Sequence, residues 1–208
     1  MEDIDLPQRR LSRVRKSLWF MAAITALLLV VGYLWRSAQP SSQPAGSYAS
    51  AFGGPFTMTD QTGRTVTEQT LRGKPYAIFF GFTRCPDVCP TSLNRMALLR
   101  KQLGADGDKF NIIFVSVDPV HDTRAGIGHY LTLFGTPIIG LTGTAAQLAQ
   151  IVKAFHIYYE KVPVEGGDYT IDHSATIFLI DADGQFVTTI SHQEDQKVAL
   201  QKLKRLIA

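Results

Sequence analysis

Cysteine is nearly absent from this chain: 208 residues hold two, Cys85 and Cys89, four positions apart. So small a supply excludes a disulfide framework, and the one intrachain bridge available would close a ring too small to stabilise much. A structural zinc site is disfavoured as well, because the pair supplies half of the four ligands such a site wants. An excess of charge of one sign is also missing from most of the chain. Residues 1–36 hold six of the 21 basic and three of the 18 acidic side chains, leaving 15 of each sign for residues 37–208. A balanced domain without a Lys/Arg block has no electrostatic footprint for nucleic acid, and no such partner is expected. There are no internal repeats, and the only compositionally biased stretch is the uncharged run SAQPSSQPAGSYASAFGG at 37–54, which reads as a flexible tether.

Long apolar runs are likewise limited to one. Residues 18–35, LWFMAAITALLLVVGYLW, carry no charge, and as a helix they would reach roughly 27 Å, close to the thickness of a bilayer core. Trp19, Tyr33 and Trp35 sit near the ends as interfacial anchors, and Arg9, Arg10, Arg13, Arg15 and Lys16 precede the run, which predicts a cytoplasmic N-terminus. Cleavage as a signal peptide is the rival reading, but the small-residue triplet Ala49-Ser50-Ala51 lies too far beyond the run. No cysteine follows closely enough for a lipoprotein. The acidic start, Met1 to Asp5, is poor as a mitochondrial transit peptide, so a single-pass protein of the bacterial inner membrane is expected, with the mitochondrial inner membrane as the alternative. The expected organisation is a cytoplasmic 1–17, a membrane-spanning 18–35 in contact with lipid, a tether at 36–53 and a folded domain at 54–208.

Strand and helix signals alternate through that domain. Short β-prone runs at 56–59 and 65–67 flank Asp60-Gln61-Thr62-Gly63 and suit an opening hairpin. The run 76–82 is continuously apolar, and Pro90 suits the first position of a helix carrying Leu93, Met96, Leu98, Leu99 and Leu103. A second buried strand follows at 110–117, then a helix at 125–133 capped by Asp122, a short strand at 138–141 and a helix at 144–155. After a loop at 163–168, strands at 175–180 and 186–190 form a hairpin about Asp181-Ala182-Asp183-Gly184. A last helix at 194–207 aligns Leu200, Leu203 and Ile207. The alternation predicts an α/β fold with a largely parallel central sheet.

Cys85 and Cys89 fall where a strand runs into a helix, the edge at which open α/β sheets present their ligand sites. The helix N-terminus and Arg84 both favour thiolate, so a depressed thiol pKa is expected. Two thiolates at this spacing serve either disulfide exchange or a soft metal ion, and spacing does not separate the two. Two sulfurs with one imidazole would suit Cu(I). Five histidines are available. His129, His156 and His192 read as surface residues, His121 lies on the functional edge of the sheet, and His173 stands just before the strand at 175–180.

Three ordered motifs decide among these options: FFGFTRCPDVCPTSL at 79–93, SVDP at 116–119 followed by Asp122-Thr123, and DHSATIFLID at 172–181. Together they resemble the Sco/SenC family over about residues 52–206. The resemblance implies a thioredoxin-like fold with a central mixed sheet, an N-terminal hairpin and flanking helices, and a membrane anchor. It implies a copper chaperone (Cu+ or Cu2+) that serves the dinuclear copper centre of cytochrome c oxidase subunit II, or another cuproprotein, and that can keep its cysteines reduced. Cys85, Cys89 and His173 are then the copper ligands, and His173 stands where a thioredoxin has proline. Cys85 and Cys89 also become the redox-active pair, supplied by a thiol reductant. Asp87 and Asp118 are candidates for supporting the ligands from outside. Val120 and His121 depart from the charged residues usual in the family between Asp-Pro and Asp-Thr.

The competing reading is a thiol-disulfide oxidoreductase without a metal role, thioredoxin-like or peroxiredoxin-like. A peroxidatic Cys89 would want Thr-x-x-Cys, and the residue three before it is Pro86.

Overall fold

The computed structural model describes residues 18–19, 21–22, 24–31 and 52–208. The chain divides into two units, Met1–Pro44 and Ala45–Ala208. In the first, the described residues are helical and their apolar side chains, Leu18, Trp19 and Leu27 among them, are exposed. Among the described residues no helix is long and apolar enough to cross a membrane. The expected span at 18–35, like the cytoplasmic segment and most of the tether, extends outside the described residues.

The second unit is a seven-stranded mixed sheet flanked by helices. Its centre is β3 (Tyr76–Gly81), every residue of which is buried, paired in parallel with β4 (Asn111–Ser116). The crossover between them is helix α1 (Val88–Gln102), as parallel neighbours require. Next to β4 lies parallel β5 (Ile139–Thr142), beyond which the antiparallel hairpin β1 (Thr57–Asp60) and β2 (Thr65–Thr67) forms one edge. On the other side β3 pairs antiparallel with β8 (Ile177–Ile180), and β9 (Phe186–Ile190) forms the second edge. Helices α2 (Arg124–Thr132), α3 (Ala145–Phe155) and α4 (Gln196–Leu206) complete the layers. Phe79, Phe80, Phe114, Phe155 and Phe178 are each at most 4% exposed, and each buried ring stabilises the core by about 1.5–3 kcal/mol. The expected thioredoxin-like arrangement, with its mixed sheet and opening hairpin, is the one found, but the sheet is not largely parallel as the alternation alone suggests: four of its six pairings are antiparallel.

Several local expectations need correction. Pro90 is the third residue of α1, whose N-cap is Asp87; the first-turn N–H groups have no intrahelical partner, so proline is tolerated there too. The cap of α2 is Thr123, whose hydroxyl accepts from Gly126 N, while Asp122 turns inward. The buried face of α4 is Ala199, Leu203 and Leu206, with Leu200 and Ile207 at its margins. Leu98 of α1 is exposed. Phe52 and Gly53, assigned to the tether, already pack: Phe52 stacks on Phe178 and Phe186, and Gly53 N donates to Ala154 O.

The largest departure is a separate two-stranded sheet, β6 (Tyr159–Pro163) with β7 (Tyr169–His173), where only a loop and an approach to the next strand were expected. His173 is the last residue of β7 and pairs with Tyr159. At the β1–β2 turn, Asp60 is 1% exposed. Burial alone would raise its carboxyl, but bonds from Thr62 and Arg64 outweigh that and hold it down at about 2.

Candidate metal centre

The two loops that leave the C-terminal ends of β3 and β4 are joined before any thiol is reached. Thr83 donates its amide (3.0 Å) and its hydroxyl (2.6 Å) to the buried Asp122, which also accepts from Ser116 Oγ at 2.6 Å. The chain then turns, with Cys85 N donating to Phe82 O, and enters α1. Cys89, in the first turn of α1, is fully buried, whereas Cys85 is half-buried; both are free thiols. Room for Cys89 depends on Gly81, where a Cβ would lie 2.6 Å from Cys89 Sγ.

His173 arrives from β7. Its Nε2 is 3.3 Å from Cys89 Sγ, and its Nδ1 is 3.1 Å from Ser174 O. A carbonyl only accepts, so Nδ1 carries a proton and Nε2 presents its lone pair to the thiols. Phe79 and Phe82 pack edge-on against the ring and fix its plane. The donor atoms of Cys85, Cys89 and His173 all lie within 4.8 Å of one another.

The two sulfurs are electrostatically unlike. The Cys89 side chain, donating to Cys85, is the main cause that lowers the Cys85 thiol to about 4; burial opposes it, and the amides of Cys89 and Asp87 add to it. The reciprocal interaction, with burial, pushes the Cys89 thiol well up. One proton on Cys89 thus faces two acceptors, Cys85 Sγ and His173 Nε2, and can serve one at a time. A cation seated among the three atoms would serve all of them, and two sulfurs with one nitrogen select a soft one.

Arg84 does not act as expected. Its guanidinium reaches away from the thiols to Asp168 Oδ2 (2.6 Å) and Asp118 Oδ2 (3.3 Å). The thiolate is favoured by its neighbours in the cluster instead. Asp118 is fully buried outside the three-donor group; burial would raise its carboxyl, but Tyr169, His121 and Arg84 together lower it. Asp87 contributes its amide to Cys85, while its carboxylate is exposed and meets only Thr91 Oγ1 at 3.2 Å. Of the other histidines, His121 joins the Asp118 cluster, His156 caps α3 in the left-handed region, His129 is exposed on α2 and His192 contacts Ser92 Oγ. None of them joins Cys85 and Cys89.

Four functional neighbours escaped the sequence reading. Gly81 had a signal, since glycine inside a buried strand marks a close approach. Tyr169, and Asp122 in its inward role, had none. Tyr130 OH is the buried side-chain polar atom without a hydrogen-bond partner among the described residues. Burial first, then the charges of Cys89, Cys85 and Asp122, push its phenol up.

A thioredoxin-like domain with two free thiols at a strand-to-helix junction, faced by an imidazole from a separate hairpin, is the class that fold and site define. The SCO1/SenC family model matches residues 44–208, and the chain belongs to that family. Bradyrhizobium japonicum ScoI, solved with copper bound, superposes with a TM-score of 0.70 at 47% identity, over 75% of this chain and 99% of that one. Mitochondrial SCO2 of Saccharomyces cerevisiae is 34% identical over 99% of this chain and 72% of its own length. Mitochondrial SCO1 of the same yeast is 36% identical over 74% of this chain and 53% of its own, so the chain spans about half of that relative.

Proposed function

We propose that this chain is a membrane-anchored copper chaperone in which Cys85, Cys89 and His173 hold one copper ion as cargo. The observation that carries the reading is the convergence of two free thiols and a lone-pair-bearing Nε2 within 4.8 Å. The copper-bound relative at 47% identity supports the choice of metal. The recipient is the dinuclear copper centre of cytochrome c oxidase subunit II, reached by ligand exchange in which incoming cysteines replace His173 and then the two thiolates. The charge-free run at 18–35, whose described apolar side chains are exposed, anchors the protein in a bacterial inner membrane with residues 1–17 in the cytoplasm. Residues 36–53 tether the domain at 54–208 on the far side. The test is transfer: copper-loaded protein mixed with the metal-free soluble domain of subunit II should pass its ion on, and retention by the donor contradicts the reading.

The unlike thiols favour a second activity on the same pair. Cys85, half-buried and ionised, attacks a disulfide of the recipient; a mixed disulfide forms and one recipient thiolate leaves. Cys89 then gives up its proton and attacks Cys85, releasing the second recipient thiol and leaving a Cys85–Cys89 disulfide, with two electrons transferred. A thiol reductant must restore the pair. His173→Ala should leave this reduction active while weakening copper binding.

A further inference from the structure

The hairpin that carries His173 is held down by polar contacts at its other end. Tyr169, the first residue of β7, donates its hydroxyl to Asp118 Oδ1 at 2.6 Å, across 51 positions of sequence. Its neighbour Asp168 accepts from Arg84 at 2.6 Å, and Arg84 also reaches Asp118. Arg84 adjoins Cys85, so these contacts join the hairpin to the loops after β3 and β4 at once. Apolar burial does little of this holding: β6 is exposed over four of its five residues, and in β7 only Ile171 is buried. The hairpin strands pair only with each other. A segment with so few buried contacts belongs to the low-stability end of a fold.

The contacts are also oversubscribed. His121 Nδ1 lies 2.9 Å from Arg84 and 2.9 Å from Asp118 Oδ2. A guanidinium only donates and a carboxylate only accepts, so one ring nitrogen satisfies one of them at a time. Such a network holds less firmly than a fully satisfied one.

We propose that Tyr169, Asp118 and Arg84 form a latch that positions His173: closed, it keeps the imidazole against the thiols; open, it frees the hairpin and leaves the cargo on two sulfurs, ready for exchange. The release half rests on the copper reading above. Tyr169→Phe in the full chain, in detergent, removes one hydroxyl and keeps the ring over which Lys161 Nζ sits at 4.1 Å. Losing a hydrogen bond to a charged partner should speed amide exchange in residues 159–173 of the metal-free protein about tenfold, and transfer of Cu(I) to bathocuproine disulfonate about tenfold. Stoichiometry and thiolate-to-copper absorption at saturation should not change. Tyr158→Phe, just before β6 and with its hydroxyl bonded to Glu160 rather than to the latch, should alter neither rate. Unchanged exchange in Tyr169→Phe overturns the latch, and faster exchange with unchanged transfer overturns its role in release. A wild-type chain that takes up no copper defeats the copper reading and release together, while exchange still decides whether Tyr169 pins the hairpin.

Discussion

Cys89 Sγ and His173 Nε2 face each other across 3.3 Å, although 84 positions of sequence separate them. One is fixed by the first turn of α1, the other by the end of a hairpin outside the main sheet. The site is therefore assembled between a rigid element and a weakly held one, an arrangement suited to an ion that must be given up.

Gly81→Ala tests how closely the buried thiol is fitted. The added methyl would meet Cys89 Sγ at 2.6 Å and the rings of Phe79 and Phe114 at 3.1 and 3.2 Å. Overpacking of this kind costs about 1–3 kcal/mol. Urea unfolding should show that loss, and the thiolate-to-copper absorption should change as Cys89 is displaced. Wild-type stability and spectrum would contradict the packing account.

The unlike thiols predict unlike alkylation. Cys85, with its thiol lowered to about 4, should react with iodoacetamide at a nearly constant rate from pH 5.5 to 8, while Cys89 stays protected. Peptide mass spectrometry after brief labelling gives the order. Labelling of Cys89 first, or a Cys85 rate that climbs tenfold per pH unit through 8, is the opposing result.

The same asymmetry sets a proton count. At pH 8 Cys85 is already ionised and Cys89 is not, so copper should displace about one proton from the thiol pair rather than two. Calorimetric titration in buffers of different ionisation enthalpy measures the number directly.

Asp60 makes a prediction about acid stability. Its folded carboxyl is lowered from 3.8 to about 2, which corresponds to roughly 2 kcal/mol. A depressed carboxylate stabilises the fold above its unfolded pKa and loses that contribution as pH falls from about 4 to about 2. The advantage of wild type over Asp60→Asn in denaturant unfolding should therefore be full at pH 6 and should shrink toward pH 2. An advantage independent of pH would place the effect elsewhere than in the charge.

Much of the site could be read from the sequence because its parts lie on elements with strong patterns. A continuous apolar run followed by Cys85 and Cys89 and a helical repeat defines a strand-to-helix junction without further help. The β6–β7 hairpin could not be read, because strands with scarcely any buried face show no alternation. Asp122 and Thr123 are both good helix caps, and adjacent in sequence; only the partners Thr83 and Ser116 determine which of them turns inward. The bond from Tyr169 to Asp118 joins residues far apart in the chain and leaves no local trace. The expectation for Arg84 fails for a related reason: its sequence neighbour is Cys85, but its partners in space are two aspartates.

The most direct test is metal analysis with absorption spectroscopy on the anaerobically reduced protein, wild type beside His173→Ala. The account predicts one copper per wild-type chain with sulfur-to-copper charge transfer, and an affinity in the variant lower by at least the roughly 10–100-fold that loss of a residue merely supporting a ligand costs. A wild-type chain that binds no copper, or a variant that binds it equally well, would contradict it.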